Sequence, residues 1–154
     1  MFEGRVVAMF TAPAEGAPMQ AREAVEALAG KGLGGDRYAI EAGKFSGTKH
    51  GKRAVTLIER EAIRAANDSY GVDLAEHETR RNLVVEGVPL NHLVGQEFLV
   101  GDVRLRGHDL SEPCAYLEEV TGKQARKAFV HRGGLRAEIV EGGPIRIGDP
   151  VRPI

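Results

Sequence analysis

Glycine interrupts this chain twenty times, and the stretches between are short, apolar and rich in β-branched residues. Glycine enters φ > 0 without a steric penalty, so such punctuation favours tight connections between short strands over long helices. The absence of tryptophan and an aromatic content of 5% leave a core made chiefly of aliphatic side chains. The chain therefore reads as mostly β with short helices, an α+β sequence whose strands close into a barrel-like sheet. At 154 residues, one domain spanning 1–154 is expected, long enough to bury a core.

Arg5–Phe10, Ala54–Ile58, Asn82–Val85 and Leu135–Val140 read as strands. Glu59–Ser69 reads as a helix ended by Gly71. Ala21–Ala29 reads as a second helix, with Val25 and Leu28 three apart and Gly30 and Gly32 closing it. Pro113–Val120 and Gln124–Val130 read as short helices, and Lys31–Tyr38 is too glycine-rich for either element. Gly95–Arg104 and Gly143–Arg152 resemble each other. Each sets Gly-Asp between β-prone residues and predicts a hairpin feeding one curved sheet.

Charge narrows the partners. Lys and Arg total 21 against 22 Asp and Glu, so no global field draws in nucleic acid or an acidic membrane surface. Among the basic residues 15 are arginine, the side chain suited to forked binding of phosphate and carboxylate. No run approaches the ~20 apolar residues of a membrane span. The opening MFEGRVVAMF carries an acid at its third position and lacks a signal peptide's apolar run. A cytoplasmic protein without membrane or nucleic-acid partners is expected. The sequence has neither a P-loop nor a Gly-x-Ser-x-Gly turn. His50, His77, His92 and His108 are scattered and read as structural or surface residues.

The single cysteine, Cys114, stands in the run Ser111-Glu-Pro-Cys114. Pro113 suits the first turn of a helix, and a thiol in that turn lies among unpaired N–H groups that favour thiolate. The thiolate is both nucleophile and metal ligand; the competing reading is a small buried hydrophobe. Three other clusters contain arginine: Gly35-Asp-Arg37, Glu78-Thr-Arg-Arg-Asn82 and His131-Arg-Gly-Gly-Leu-Arg136. Glycine amides beside an arginine fork suit an anion, against a plain turn in which Asp36 pairs with Arg37. If Arg80 and Arg81 precede a strand, at most one of them faces a pocket.

Taken in order, Gly32-Leu-Gly-Gly-Asp-Arg-Tyr38, Ala54-Val-Thr-Leu-Ile-Glu59, Glu78-Thr-Arg-Arg-Asn-Leu83, Leu93-Val-Gly-Gln-Glu-Phe98, Glu112-Pro-Cys-Ala-Tyr-Leu-Glu118 and His131-Arg-Gly-Gly-Leu-Arg-Ala137 resemble a stand-alone MOSC domain. That module is also the C-terminal part of molybdenum cofactor sulfurases. The resemblance implies a β-barrel-like fold and makes Cys114 the reactive residue, either a ligand of molybdenum or a carrier of persulfide sulfur. It implies that Arg37, Arg80, Arg81, Asn82, His131 and Arg132 hold the pterin and phosphate of the molybdenum cofactor (molybdopterin). Where many relatives have a second cysteine, this chain has Ser111, so a disulfide relay within the chain is excluded.

Two functions follow from that likeness. One is a molybdenum-dependent oxidoreductase that reduces N-hydroxylated small molecules with electrons from a donor protein. The other is a sulfur-transfer module that holds a persulfide on Cys114 and is served by a cysteine desulfurase. Pyridoxal phosphate is expected on such a partner and not on this chain, which shows no evident Schiff-base setting, with Lys52 and Lys123 the lysines left open.

Overall fold

The structure is a computed structural model that describes residues 1–39, 54–112, 118 and 125–154. In chain order its strands are β1 (Gly4–Thr11), β2 (Gln20–Ala21), β3 (Ala24–Leu28), β4 (Gly32–Leu33), β5 (Val55–Glu59), β6 (Leu83–Glu86), β7 (Glu97–Val100), β8 (Val103–Leu110), β9 (Leu135–Glu141), β10 (Gly143–Arg146) and β11 (Pro150–Pro153). The helix α1 (Arg60–Tyr70) follows β5 directly, and 3-10 turns occupy Glu76–Thr79 and Leu90–Leu93.

Seven strands close on themselves in the order β1-β11-β7-β8-β9-β5-β6, with β6 returning to β1. The pairs are antiparallel except β5–β6, which run parallel with Leu57 opposite Leu83. A smaller sheet, β10-β3-β4, packs against this barrel. The mostly β, barrel-like α+β architecture expected from the sequence is the one observed.

Alternation along β5 and β6 builds two apolar layers. Leu57, Leu83 and Val85 point into the barrel with Val6, Phe98, Leu105, Leu135 and Ile139. Ile58 and Val84 point outward, under Ile63 and Ala66 of α1 and under Ala128 and Phe129. Each such aliphatic side chain contributes roughly 1.5–3 kcal/mol by leaving water. Burial on both faces explains why this stretch reads as an unbroken apolar run. The helix ends where expected, at Gly71 with φ 62°, whose N–H returns to Asn67 O.

Gly107 allows one crossing that no other residue tolerates. A Cβ built there would stand 2.0 Å from Leu93 O, where the 94–96 segment passes over β8 and exchanges hydrogen bonds with it.

Three local expectations are corrected. Ala21–Ala29 is not helical: Val25 and Ala27 are buried while Ala24, Glu26 and Leu28 are exposed, a period of two. Pairing of Val25 with Ile145 and of Ala27 with Leu33 and Gly143 outweighs the helix propensity of the Ala-Glu pattern. The first Gly-Asp run is a hairpin, with Val100 opposite Val103 and Gly101 at φ 59°. The second is not. There β10 pairs with β3 and β11 enters the barrel, because Gly148 N–H donates to Val6 O and Ile147 N–H to Glu23 O. Finally, residues 125–130 form turns with one helical bond, Phe129 N–H to Ala125 O, and no helix. The predicted helix at Pro113–Val120 lies outside the described residues except for Glu118, which is helical. No described helix is long and apolar enough to cross a membrane.

Candidate functional site

The glycine-rich loop after β4 turns inward. Asp36 is fully buried, and its Oδ1 accepts from Ala12 N–H and from Arg37 Nη1, both at 3.0 Å. Arg37 is also buried; its Nη2 donates to Arg80 O at 3.2 Å, and its guanidinium lies 4.5 Å from the Tyr38 ring centroid. The Asp36–Arg37 pairing thus staples this loop to the end of β1 and to Arg80. A buried ion pair broken on one side is costly, so both members hold structure here.

Arg80 follows the 3-10 turn Glu76–Thr79 with φ 60°, a left-handed cap. That turn is anchored by a two-pronged bond from Arg60 to Glu76, at 2.8 and 3.1 Å, which also holds the Arg60 guanidinium above its usual pKa. Arg80 is buried and donates from Nη1 to Ala17 O at 2.7 Å. Asn82 is fully buried, its Oδ1 accepting from Thr56 N–H and Oγ1 and its Nδ2 donating to Phe10 O. Arg37, Arg80 and Asn82 therefore tie loops and strands together and offer a ligand almost no surface.

Arg81 departs in the opposite direction from Arg80. Its Nε donates to Gly133 O at 2.8 Å, Nη2 to Ser111 O at 3.1 Å and Nη1 to Thr79 O at 3.4 Å. One side chain so joins the segment leading to Cys114 with the turn that carries His131. Glu112 strengthens the junction: Oε1 accepts from His131 N–H at 2.8 Å, and Oε2 lies 2.9 Å from His131 Nδ1. Asn91 Nδ2 donates to His131 O at 2.7 Å from the other side. Gly133 and Gly134, expected to offer amides to an anion, are buried instead. Gly134 approaches Leu57 O so closely that a Cβ would stand 2.2 Å away. Cys114, two residues past Glu112, lies outside the described residues, as do His50, Lys52 and Lys123.

Arg132 turns away from its neighbour His131. Its Nε donates to Ala128 O at 2.7 Å, and its guanidinium carbon lies 5.8 Å from the Tyr70 ring centroid, with Lys127 Nζ at 6.0 Å. Two adjoining hollows, of about 790 and 640 Å³, share Tyr70, Lys127 and Val130. Arg132 lines one, while Arg126 and Glu118 line the other, where Glu118 accepts from Arg126 N–H at 3.1 Å. The result is an open basic groove at the C-terminal end of α1, whose own last turn has no basic residue. Tyr70, Arg126 and Lys127 were not singled out by the sequence. The usable signal was four basic residues in positions 126–132, counting His131.

Elsewhere, His77 packs its ring against Phe10, and His92 is exposed. Among the described residues no three His, Cys, Asp or Glu side chains gather as a metal site.

Residues 30–152 match the family model of the MOSC domain. Among solved structures, the YUAD protein from Bacillus subtilis superposes with a TM-score of 0.79 at 17% identity, covering 98% of this chain and 97% of that one. YiiM from Geobacillus stearothermophilus gives 0.75 at 13% identity over 98% of this chain and 75% of its own. YiiM from Escherichia coli gives 0.67 at 16% identity, over all of this chain and 70% of its own. At these identities the likeness speaks to fold. No curated protein is significantly similar in sequence.

Proposed function

This chain belongs to the MOSC domain family, generally tied to the biology of the molybdenum cofactor, and from that premise we propose that it binds the cofactor with Cys114 as molybdenum ligand and reduces N-hydroxylated small molecules. The observation that carries this reading is the open basic groove lined by Lys127, Arg132 and Arg126. A phosphate dianion needs cations that can reach it, and the groove offers guanidinium and ammonium groups at an accessible surface. The donor chemistry fits the cofactor's two ends: cations for its phosphate and a soft thiolate for its metal.

Arg132 and Lys127 hold the phosphate, with Arg126 beside them. Arg81 and Glu112 keep the chain leading to Cys114 in register with the His131 turn, so that His131 stands at the edge of the site. The buried Arg37, Arg80 and Asn82 support these loops from behind without touching the ligand. When bound, the cofactor supplies two-electron redox chemistry. The electrons come from a separate electron-donor protein.

The test is molybdenum and pterin per chain in protein purified anaerobically from a host that makes the cofactor. Near-stoichiometric metal is expected in the wild type and little in Cys114→Ala. The double variant Lys127→Glu, Arg132→Glu should weaken binding by roughly tenfold or more, since a charged hydrogen bond contributes about 1.5–3 kcal/mol. Absence of metal and pterin from the wild type sinks the reading; a persulfide on Cys114 would then favour the sulfur-carrier function.

A further inference from the structure

Tyr70 and Val130 are large side chains left 49% and 51% exposed, and both line the two hollows at the C-terminal end of α1. Apolar groups exposed singly need no explanation, whereas those gathered in one concavity mark a site of interaction. Each hollow, at about 790 and 640 Å³, already has the size that holds a small organic molecule. A lone phosphate therefore fills only part of the groove, and the remainder has a chemistry of its own.

The two hollows differ in what they offer. One is cationic, lined by Arg132 and Lys127 beside Ser69. Their charges stand 5.8 and 6.0 Å from the Tyr70 ring centroid, the outer limit of a cation–ring contact, so the half-exposed ring stays open to a ligand. Two cations balance a phosphomonoester, which carries nearly two charges at neutral pH. The other hollow is mixed: Tyr70, Val72 and Val130 give apolar walls, and Glu118 supplies an acceptor. Among the described residues Glu118 takes one bond at each oxygen, from Arg126 N–H at 3.1 Å and Nη2 at 3.4 Å. A carboxylate has about four acceptor sites, so capacity remains at both oxygens.

From this pairing we infer that the groove binds a guanine nucleoside monophosphate. Its phosphate meets Arg132 and Lys127, its base stacks on the Tyr70 ring beside Val130, and Glu118 accepts from the N1–H and 2-amino group of the base. Any base has a face to stack, but guanine alone sets two adjacent N–H donors on the edge that a carboxylate accepts in parallel. Adenine would turn a ring-nitrogen lone pair toward Glu118 and is disfavoured. The chain has no P-loop, so side chains and not glycine amides meet the phosphate. The inference rests on the phosphate reading of Lys127 and Arg132 and uses neither Cys114 nor molybdenum. One phosphate position serves both ligands, so nucleotide and cofactor exclude each other.

The test is calorimetric titration of the full-length chain, made in a host without the cofactor, with GMP, AMP and ribose 5-phosphate. GMP should bind roughly tenfold or more tighter than ribose 5-phosphate, the gain that stacking one base on an aromatic ring supplies. Tyr70→Ala should bring GMP down to the level of ribose 5-phosphate, while Tyr70→Phe, which keeps the ring, should retain the margin. GMP should also bind roughly tenfold tighter than AMP, and Glu118→Gln should erase that difference. Lys127→Glu combined with Arg132→Glu should weaken GMP by roughly tenfold or more. In protein from a cofactor-making host, GMP should bind only the chains that lack molybdenum.

Equal affinity for GMP and ribose 5-phosphate, equal affinity for GMP and AMP, or a margin that survives Tyr70→Ala would each overturn the inference. So would binding of none of the three, or GMP bound to molybdenum-loaded chains. Stoichiometric molybdenum in protein from the cofactor-making host, with no nucleotide bound by the cofactor-free chain, defeats the inference alone. Nucleotide bound through Tyr70, with no molybdenum or pterin from that host, supports it while sinking the cofactor reading.

Discussion

Asn82 and Thr56 bind each other through both backbone and side chain. Thr56 N–H and Oγ1 donate to Asn82 Oδ1 at 3.0 and 3.2 Å, and Asn82 N–H lies 3.0 Å from Thr56 Oγ1 and 3.1 Å from Thr56 O. The pair sits at the start of the parallel strands β5 and β6, and Asn82 Nδ2 extends the network to Phe10 O on β1. The amide does for three strands what ladder bonds do for two.

Replacing Asn82 by alanine leaves Thr56 N–H and Phe10 O buried without partners. Each lost bond of that kind costs on the order of 1–3 kcal/mol, so Asn82→Ala should destabilise the chain by about 3 kcal/mol or more. Urea unfolding measures it. A loss below about 1 kcal/mol would mean that water replaces the amide, and the network would not be the junction described.

The barrel and most of its strands were legible because their signals are local. Apolar runs such as Val55–Ile58 and Gly-Asp at 101–102 carry their own conformational preferences. What escaped depended on partners far along the chain. Val25 and Leu28 have helical spacing, yet Ile145 and Leu33 draw Val25 and Ala27 into a strand pattern. The second Gly-Asp run resembles the first, but bonds from Ile147 and Gly148 to distant carbonyls send its two halves into different sheets. At the candidate site, the sequence did not tell a buried arginine from an exposed one. Adjacent Arg80 and Arg81 reach different partners, with Arg80 in a left-handed backbone that the sequence does not announce. Lys127 and Tyr70 come together through folding alone.

Two glycines offer a direct contrast. Gly71 has φ 62° and open space around its Cα, so Gly71→Ala meets only the left-handed penalty, about 1 kcal/mol. Gly107 has a backbone carbonyl where the Cβ would go, 2.0 Å away, and no flexible side chain to yield. Gly107→Ala should therefore cost clearly more, about 2 kcal/mol or above, because β8 and the 94–96 segment must separate. Thermal or urea denaturation of the two variants ranks them; equal losses would count against the crossing as described.

Titration should reveal two carboxylates of opposite sign. Glu59, at the start of α1, has its pKa raised, first by burial and then by the charge of Glu61, against lowering by the Leu90 backbone N–H and His92. Its native form holds the proton more tightly than the unfolded chain does. It therefore contributes stability below the unfolded glutamate pKa of about 4.3 and loses it as pH rises through the folded value. The stability gain of Glu59→Gln over wild type should grow across that rise, staying below about 1 kcal/mol for a half-exposed group.

Glu97 runs the other way. Its pKa is lowered first by its hydrogen bond with Arg106 and then by Arg104. Its contribution is present above the unfolded value and is lost as pH falls through the folded one. It lies at the surface, partly covered by its arginine partners, so Glu97→Gln should differ from wild type only slightly, and less in high salt. Urea midpoints between pH 3 and 7 measure both variants; slopes of the same sign would contradict the assignment.

Arg81 supports the site most economically, since one guanidinium reaches Gly133 O, Ser111 O and Thr79 O at 2.8, 3.1 and 3.4 Å. The planar fork allows this, with donors fixed in diverging directions, whereas a lysine ammonium gathers its donors at one point. Arg81→Lys keeps the charge and should still cost about 1.5–3 kcal/mol, the scale of a hydrogen bond to a charged group. The loss should be local. Ser111 N–H, bonded to Gly134 O at 2.7 Å, should exchange with solvent faster in the variant. Asn82 N–H, held by Thr56 on the far side of Arg81, should keep its protection. Uniform acceleration at both amides would mean that Arg81 stabilises the barrel as a whole. Unchanged exchange at Ser111 would mean that Glu112 and the backbone hold that segment without it.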